Sequence, residues 1–169
     1  MSAAADELAA DRGNPQPRTI LLLSGPNLGL LGERQPEIYG AETLANHVER
    51  ARRAASRSGC ALKHLQSEHE ADLIAAVHDG RGTVDAIVVN AGALSHSSWA
   101  LHDALASFDG VVVELHLSNP DAREPWRRRS VLAPVADGTV AGFKGLGYEL
   151  AVEAAARLIA GRSDAPGGA

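Results

Sequence analysis

One cysteine, Cys60, is all the sequence has, so neither an intrachain disulfide framework nor a cysteine metal cluster can form. A lone thiol of this kind reads as a small buried residue at the start of a strand. Positive charge is not in excess either. The net charge is −5, which argues against a general nucleic-acid surface but allows a local basic pocket for a small anion. No apolar run is long enough to cross a membrane. The first residues lack the basic, apolar, small-residue order of a secretory leader. Together these absences lead to the expectation of a cytoplasmic protein with no nucleic-acid or membrane partner. The glycines of GPNLGLLG do not make the dinucleotide fingerprint, and no Walker lysine motif follows them. No internal repeat is seen.

What is present is a chain of 169 residues, 45% of them hydrophobic, which favours one domain around one core. Residues 1–18 are rich in Ala, Asp and Glu and end in Gly13-Asn14-Pro15-Gln16-Pro17, the composition of a mobile tail. Residues 19–160 then alternate strand and helix patterns. Strands are expected at Thr19–Ser24, Ala61–Gln66, Asp85–Val89, Val111–Leu117 and Thr139–Phe143. Helices are expected at Glu42–Ser58, Glu68–His78, from Ser97 or Ser98 to Leu105, and at Leu146–Ala160, with a short helix within Ser118–Ser130. Residues 161–169 read as a second tail. Strands apolar on both faces, alternating with helices, imply a doubly wound parallel α/β sheet. Five strands fit the flavodoxin-like order 2-1-3-4-5.

In such sheets ligands bind beyond the carboxyl ends of the strands, near the point where strand order reverses. Three unusual segments fall there: Gly25-Pro26-Asn27, Asn90–Ser98 and His116–Asn119. The first opens a loop that runs to Gly40, longer than most structureless connections and anchored by Leu28, Leu30, Leu31 and Ile38. It reads as a lid over the end of the first strand.

Glu114 and His116 are two apart on a strand and so share a face. A carboxylate beside an imidazole fixes its tautomer and stabilises the imidazolium, which suits a general acid. A surface strand pair is the second reading and a metal site the third. Tyr39 and Arg34 lie in the lid. A guanidinium near a phenol favours its ionised form, but spacing alone favours a loop-anchoring Tyr39 with Arg34 in solvent. Asn90, Ser95, His96, Ser97 and Ser98 stand where a strand gives way to a helix, a position that binds anionic or hydroxylated ligands or simply caps the helix. Asp103, one turn into that helix, reads as solvated. Arg123 and Arg127–Arg129 form a basic cluster that either clamps a carboxylate or lies in solvent. His47, His64, His69, His78 and His102 read as surface or helix histidines.

The motifs SGPNLGLLG, RQPEIYG, QSEHEADLI, NAGALSHSS, ALHDAL, VELHLSN, AREPWRR and GLGYELA occur in one order over roughly Thr19–Leu158. In that order they resemble the type II 3-dehydroquinate dehydratases. The resemblance implies a flavodoxin-like fold and reversible dehydration of 3-dehydroquinate to 3-dehydroshikimate, with no metal or organic cofactor. It implies a homododecamer built from trimers. Tyr39 matches the base, Arg34 the lid arginine that keeps it ionised, and Asn27 the residue that holds a water at the developing enolate oxygen. His116 matches the acid and Glu114 its orienting partner. Asn90, His96 and Arg127 match groups that hold substrate hydroxyls, and the backbone at Leu117 and Ser118 matches the carboxylate site. Asp103 matches an acidic group that reaches a neighbouring subunit's site, and Arg123 a second arginine of the lid and site region. Ser24, Gln35, Glu68, His102, Lys144, Pro120-Asp121 and Pro125-Trp126 depart from the common pattern of that family. Two rivals are a non-catalytic paralogue that senses a cyclic polyol acid, and a serine hydrolase using Ser97 or Ser98 with His96. The intact Arg34, Tyr39 and His116 argue against the first, and the missing G-x-S-x-G elbow against the second.

Overall fold

The computed structural model describes residues 17–33 and 36–164. Its aliphatic runs pair into five parallel strands: β1 (Arg18–Ser24), β2 (Cys60–Gln66), β3 (Ala86–Asn90), β4 (Val111–His116) and β5 (Gly138–Ala141). Their order is β2-β1-β3-β4-β5, the flavodoxin-like order expected from the sequence. The helices are α1 (Pro36–Tyr39), α2 (Leu44–Arg57), α3 (Glu70–Gly80), α4 (Trp99–Ala106) and α5 (Leu146–Asp164).

Period-two geometry divides each strand between two cores. Ile20, Leu22, Val88, Val113 and Leu115 pack with Ala51 and Ala55 of α2 and Tyr148 and Val152 of α5. Leu21, Leu23, Ile87, Val89 and Val112 pack on the other face with Leu73 and Val77 of α3 and Leu101 and Leu105 of α4. Both faces are covered, so the runs are continuously apolar rather than alternating. Each fully buried Leu, Ile or Val contributes roughly 1.5–3 kcal/mol. Cys60, free and buried, opens β2.

Capping explains where the helices begin. Thr43 Oγ1 accepts from Asn46 N at 3.3 Å while Thr43 N donates to Asn46 Oδ1 at 3.0 Å, a reciprocal cap for α2. Of the two candidate serines, Ser98 caps α4, accepting from Leu101 N at 2.9 Å. Beyond shifts of one or two residues at element ends, three segments differ from the sequence expectation. The loop after Pro26 is not wholly irregular, since Leu28–Leu30 forms a 3-10 turn and Pro36–Tyr39 a turn of helix. The segment Ser118–Ser130 holds two 3-10 turns, Pro120–Ala122 and Pro125–Arg127, instead of one short helix. Finally, α5 runs past Ala160 to Asp164. Arg162 tethers that last turn, with Nη2 2.6 Å from Asp137 Oδ1 and Nη1 donating to Asp109 O at 3.2 Å. These contacts offset the cost of about 1 kcal/mol for Gly161 in a helix. Of the expected tail at residues 1–18, residues 1–16 lie outside the described residues, and Arg18 instead opens β1.

Candidate active site

Parallel pairing brings the ends of β1, β3 and β4 side by side, with Ser24 opposite Asn90 and Val89 opposite Glu114. Beyond them opens a cleft of about 710 Å³, counting its open mouth. The chain must turn sharply on leaving β1. A Cβ on Gly25 would stand 2.5 Å from Ala91 O, so only glycine lets the two strand ends approach. Asn27 follows with φ 67°, a left-handed conformation that asparagine tolerates better than most residues. Its N–H donates to Glu68 Oε2 at 2.7 Å, and Glu68 Oε1 accepts from Gln66 Nε2 at 2.8 Å. The carboxylate thus fixes the turn that presents Asn27 to the cleft.

The end of β4 supplies an acid–base pair. Glu114 is fully buried, and its Oε1 lies 3.1 Å from His116 Nε2. Ser130 Oγ donates to the same oxygen at 2.5 Å. Burial is the largest influence on Glu114 and pushes its carboxyl up. The hydrogen bonds from His116 and Ser130, the charge of His116 and the nearby Ser95 hydroxyl together outweigh it and hold the group below the ordinary carboxylate value. Glu114 Oε2 and Ser95 Oγ are both buried without a partner of full hydrogen-bond geometry. His116 turns Nε2 to the carboxylate, which leaves Nδ1 as its nitrogen for a ligand in the cleft it lines.

Tyr39, the last residue of α1, closes the opposite wall. Arg123 Nη1 donates to its hydroxyl at 3.2 Å and to Ser118 Oγ at 3.2 Å. Glu124 sits between two arginines, 3.4 Å from Arg123 Nε and 3.0 Å from Arg127 Nε. The Arg127 guanidinium also stacks 4.0 Å from the Trp126 ring centre. His96 donates Nδ1–H to Arg129 O at 2.9 Å, which makes its Nε2 an acceptor. Its ring lies 6.1 Å from that of His116 and meets Trp126 edge-on.

The cleft therefore gathers Asn27, Tyr39, Asn90, His96, His116, Leu117, Ser118 and Arg127. Glu114 and Arg123 reach it through His116 and Tyr39. Asp103 is exposed on α4 and does not line it. Arg128 and Arg129 are exposed as well; of the basic cluster, Arg127 lines this cleft and Arg123 reaches Tyr39 at its edge. Arg34 and Gln35 lie outside the described residues. His47, read as a surface or helix histidine, lies in helix α2, where it is 1% exposed and stacked on Tyr148 with ring centres 5.0 Å apart. Sequence reasoning gave no positioning role to Glu68, Ser95, Glu124, Ser130 or Tyr148. Among the described residues no three His, Cys, Asp or Glu side chains gather as a metal site, and no helix is long and apolar enough to cross a membrane.

A phenol and a carboxylate-backed imidazole facing one polar cleft can remove one proton and deliver another. Comparison with known proteins identifies the family. A protein 47% identical over 88% of this chain and 97% of its own length is the catabolic 3-dehydroquinase of Phaeosphaeria nodorum. The 3-dehydroquinate dehydratase of Bacillus licheniformis is 49% identical over 79% of this chain and 92% of its own. The crystal structure of a type II dehydroquinase from Butyrivibrio crossotus superposes with a TM-score of 0.79 at 35% identity, over 81% of this chain and 96% of that one. A family model described as dehydroquinase class II matches residues 18–156, and the chain belongs to that family of hydro-lyases.

Proposed function

We propose that this chain catalyses the reversible dehydration of 3-dehydroquinate to 3-dehydroshikimate. Tyr39, as phenolate, removes a proton from the carbon next to the ketone. Charge moves to the carbonyl oxygen, where a water held by Asn27 donates to the enolate. His116 then gives a proton to the departing hydroxyl, the carbon–oxygen bond breaks, and water leaves with the electron pair of that bond. Glu114 keeps the imidazole oriented and stabilises its cationic form. The observation that carries this reading is the buried Glu114–His116 pair, 3.1 Å apart, in the same cleft as Tyr39.

Asn90, His96 and Arg127 hold substrate hydroxyls, and the backbone at Leu117 and Ser118 receives the carboxylate. Arg34 keeps the Tyr39 phenol ionised and stabilises the transition state. Asp103, exposed on α4 beside the exposed Trp99, serves a neighbouring subunit's cleft in a homododecamer built from four trimers. The free, buried Cys60 accords with a cytoplasmic setting. The reaction is common to aromatic biosynthesis and quinate breakdown.

The deciding experiment follows absorbance of the conjugated enone product with purified protein, 3-dehydroquinate and a chelator. Tyr39→Phe abolishes turnover and retains ligand binding, because only the ionisable oxygen is lost. A Tyr39→Phe protein with parental turnover would refute the base assignment. A parent protein that binds ligand without turnover would instead be a sensor paralogue.

A further inference from the structure

Behind the cleft a line of buried polar groups runs inward from Asn90. That residue is 3% exposed at the end of β3, and its Nδ2 donates to Tyr148 Oη at 3.4 Å. Tyr148 is fully buried, and the Ser24 hydroxyl is near enough to pull its pKa down against burial. Ser24, likewise fully buried, has its Oγ 3.1 Å from His64 Nε2. Four elements contribute one group each: β3, α5, β1 and β2. None of Tyr148, Ser24 or His64 lines the cleft.

We propose that Tyr148, Ser24 and His64 are positioning residues for Asn90, fixing by a one-way chain of hydrogen bonds which end of its amide faces substrate. An amide has a donor end and an acceptor end, and turning it over inverts the pattern offered to a ligand hydroxyl. Two independent contacts set its sense. Tyr148 Oη accepts from Nδ2, and Gly92 N–H donates to Oδ1 at 3.4 Å. Turned over, Nδ2 would face the Gly92 N–H, donor against donor. Having accepted from Asn90, the Tyr148 hydroxyl gives its own proton to Ser24, and Ser24 gives its proton to His64 Nε2. Burial first and the Arg52 charge second hold His64 below its ordinary value, so the ring is neutral and Nε2 can accept. Burial pushes the Tyr148 hydroxyl up to about 12, so it keeps its proton. Both Asn90 contacts are long. Removing one frees the amide to turn without forcing the sheet apart.

The assignment rests on the functional reading above, in which Asn90 holds a substrate hydroxyl, and the test separates the two. Steady-state kinetics are measured on the full chain with 3-dehydroquinate. Tyr148→Phe, which deletes one oxygen, raises KM about tenfold and changes kcat less than about threefold. A purely structural tyrosine would lower Tm and leave KM as in the parent, and a folded Tyr148→Phe with parental KM overturns the proposal. Should that variant not fold, the half-buried His64 decides. His64→Leu, without an acceptor, raises KM about fivefold, whereas His64→Gln, which keeps one, stays within about twofold of the parent. Equal KM values for these two variants overturn the proposal. A parent without turnover overturns the functional reading, and the positioning role with it; parental turnover with unmoved KM overturns the positioning role alone.

Discussion

Arg123 Nη1 donates to the hydroxyl oxygen of Tyr39 at 3.2 Å, joining residues 84 apart in sequence. The Tyr39 hydrogen bond is also the largest influence on Arg123, holding the guanidinium above its ordinary value. Among the described residues this is the cation at the phenol. Its own position is fixed from two sides, by Ser118 Oγ and by Glu124. If Tyr39 works as a phenolate, Arg123 stabilises that charge. Arg123→Ala therefore lowers kcat about 100-fold, the scale of losing one charge-stabilising donor. Arg123→Lys keeps the charge but loses the fork that serves both Tyr39 and Ser118, and recovers only part of the rate. Enone absorbance at saturating substrate measures both, and a parental kcat for Arg123→Ala would remove this arginine from the mechanism.

Asn27 separates stability from activity. Its φ of 67° suits glycine at least as well as asparagine. Asn27→Gly therefore keeps Tm within about 3 °C of the parent. The same change removes the side chain that faces the cleft, and kcat falls about 100-fold. A large drop in Tm would mean that the Asn27 side chain holds the turn itself, alongside the Glu68 contact with its backbone.

The cleft was legible in the sequence because its parts sit at strand ends. Period two alone put Glu114 and His116 on one face, and the apolar runs located β1, β3 and β4. What was not legible depends on distant partners. Glu68 was seen only as a departure from a family pattern, since nothing in QSEHE says that its carboxylate turns back to Asn27 N–H. Ser130 stands 16 residues after Glu114, and a lone serine beyond three arginines carries no pattern. The burial of His47 on its helix was not legible because its helix neighbours are charged. Glu49, Arg50, Arg52 and Arg53 mark a solvated face, but 3.6-residue periodicity turns position 47 toward α5 with Val48 and Ala51.

The Glu114 carboxyl is held below its ordinary value of 4.5, so the folded state prefers its charged form. Stability from this group is complete above about pH 4.5 and is lost as pH falls through the lower, folded value. Glu114→Gln has no such proton to take up. Between about pH 4.5 and pH 3, the parent's Tm therefore falls more steeply than that of Glu114→Gln. Parallel curves from thermal unfolding in a buffer series would mean that the carboxylate carries no net preference for charge in the fold.

His47 gives the same sign at higher pH for the opposite chemical reason. Burial is the largest influence and pushes its pKa below the ordinary 6.5; the Glu42 carboxylate 3.7 Å away opposes this, and Arg50 adds to the lowering. Both ring nitrogens are buried without a hydrogen-bond partner, and the ring is stacked on Tyr148. Folding therefore selects the neutral imidazole. The unfolded chain gains a proton at about pH 6.5 that the folded chain refuses until lower pH, so stability is lost as pH falls through that window. His64, also lowered by burial, contributes with the same sign. His47→Leu costs stability at neutral pH through the lost stack, yet its Tm falls less than the parent's between about pH 7 and pH 5. Since His47 is remote from the cleft, kcat at pH 7 stays near that of the parent. An undiminished pH slope in His47→Leu would assign the acid sensitivity to His64 and the remaining histidines.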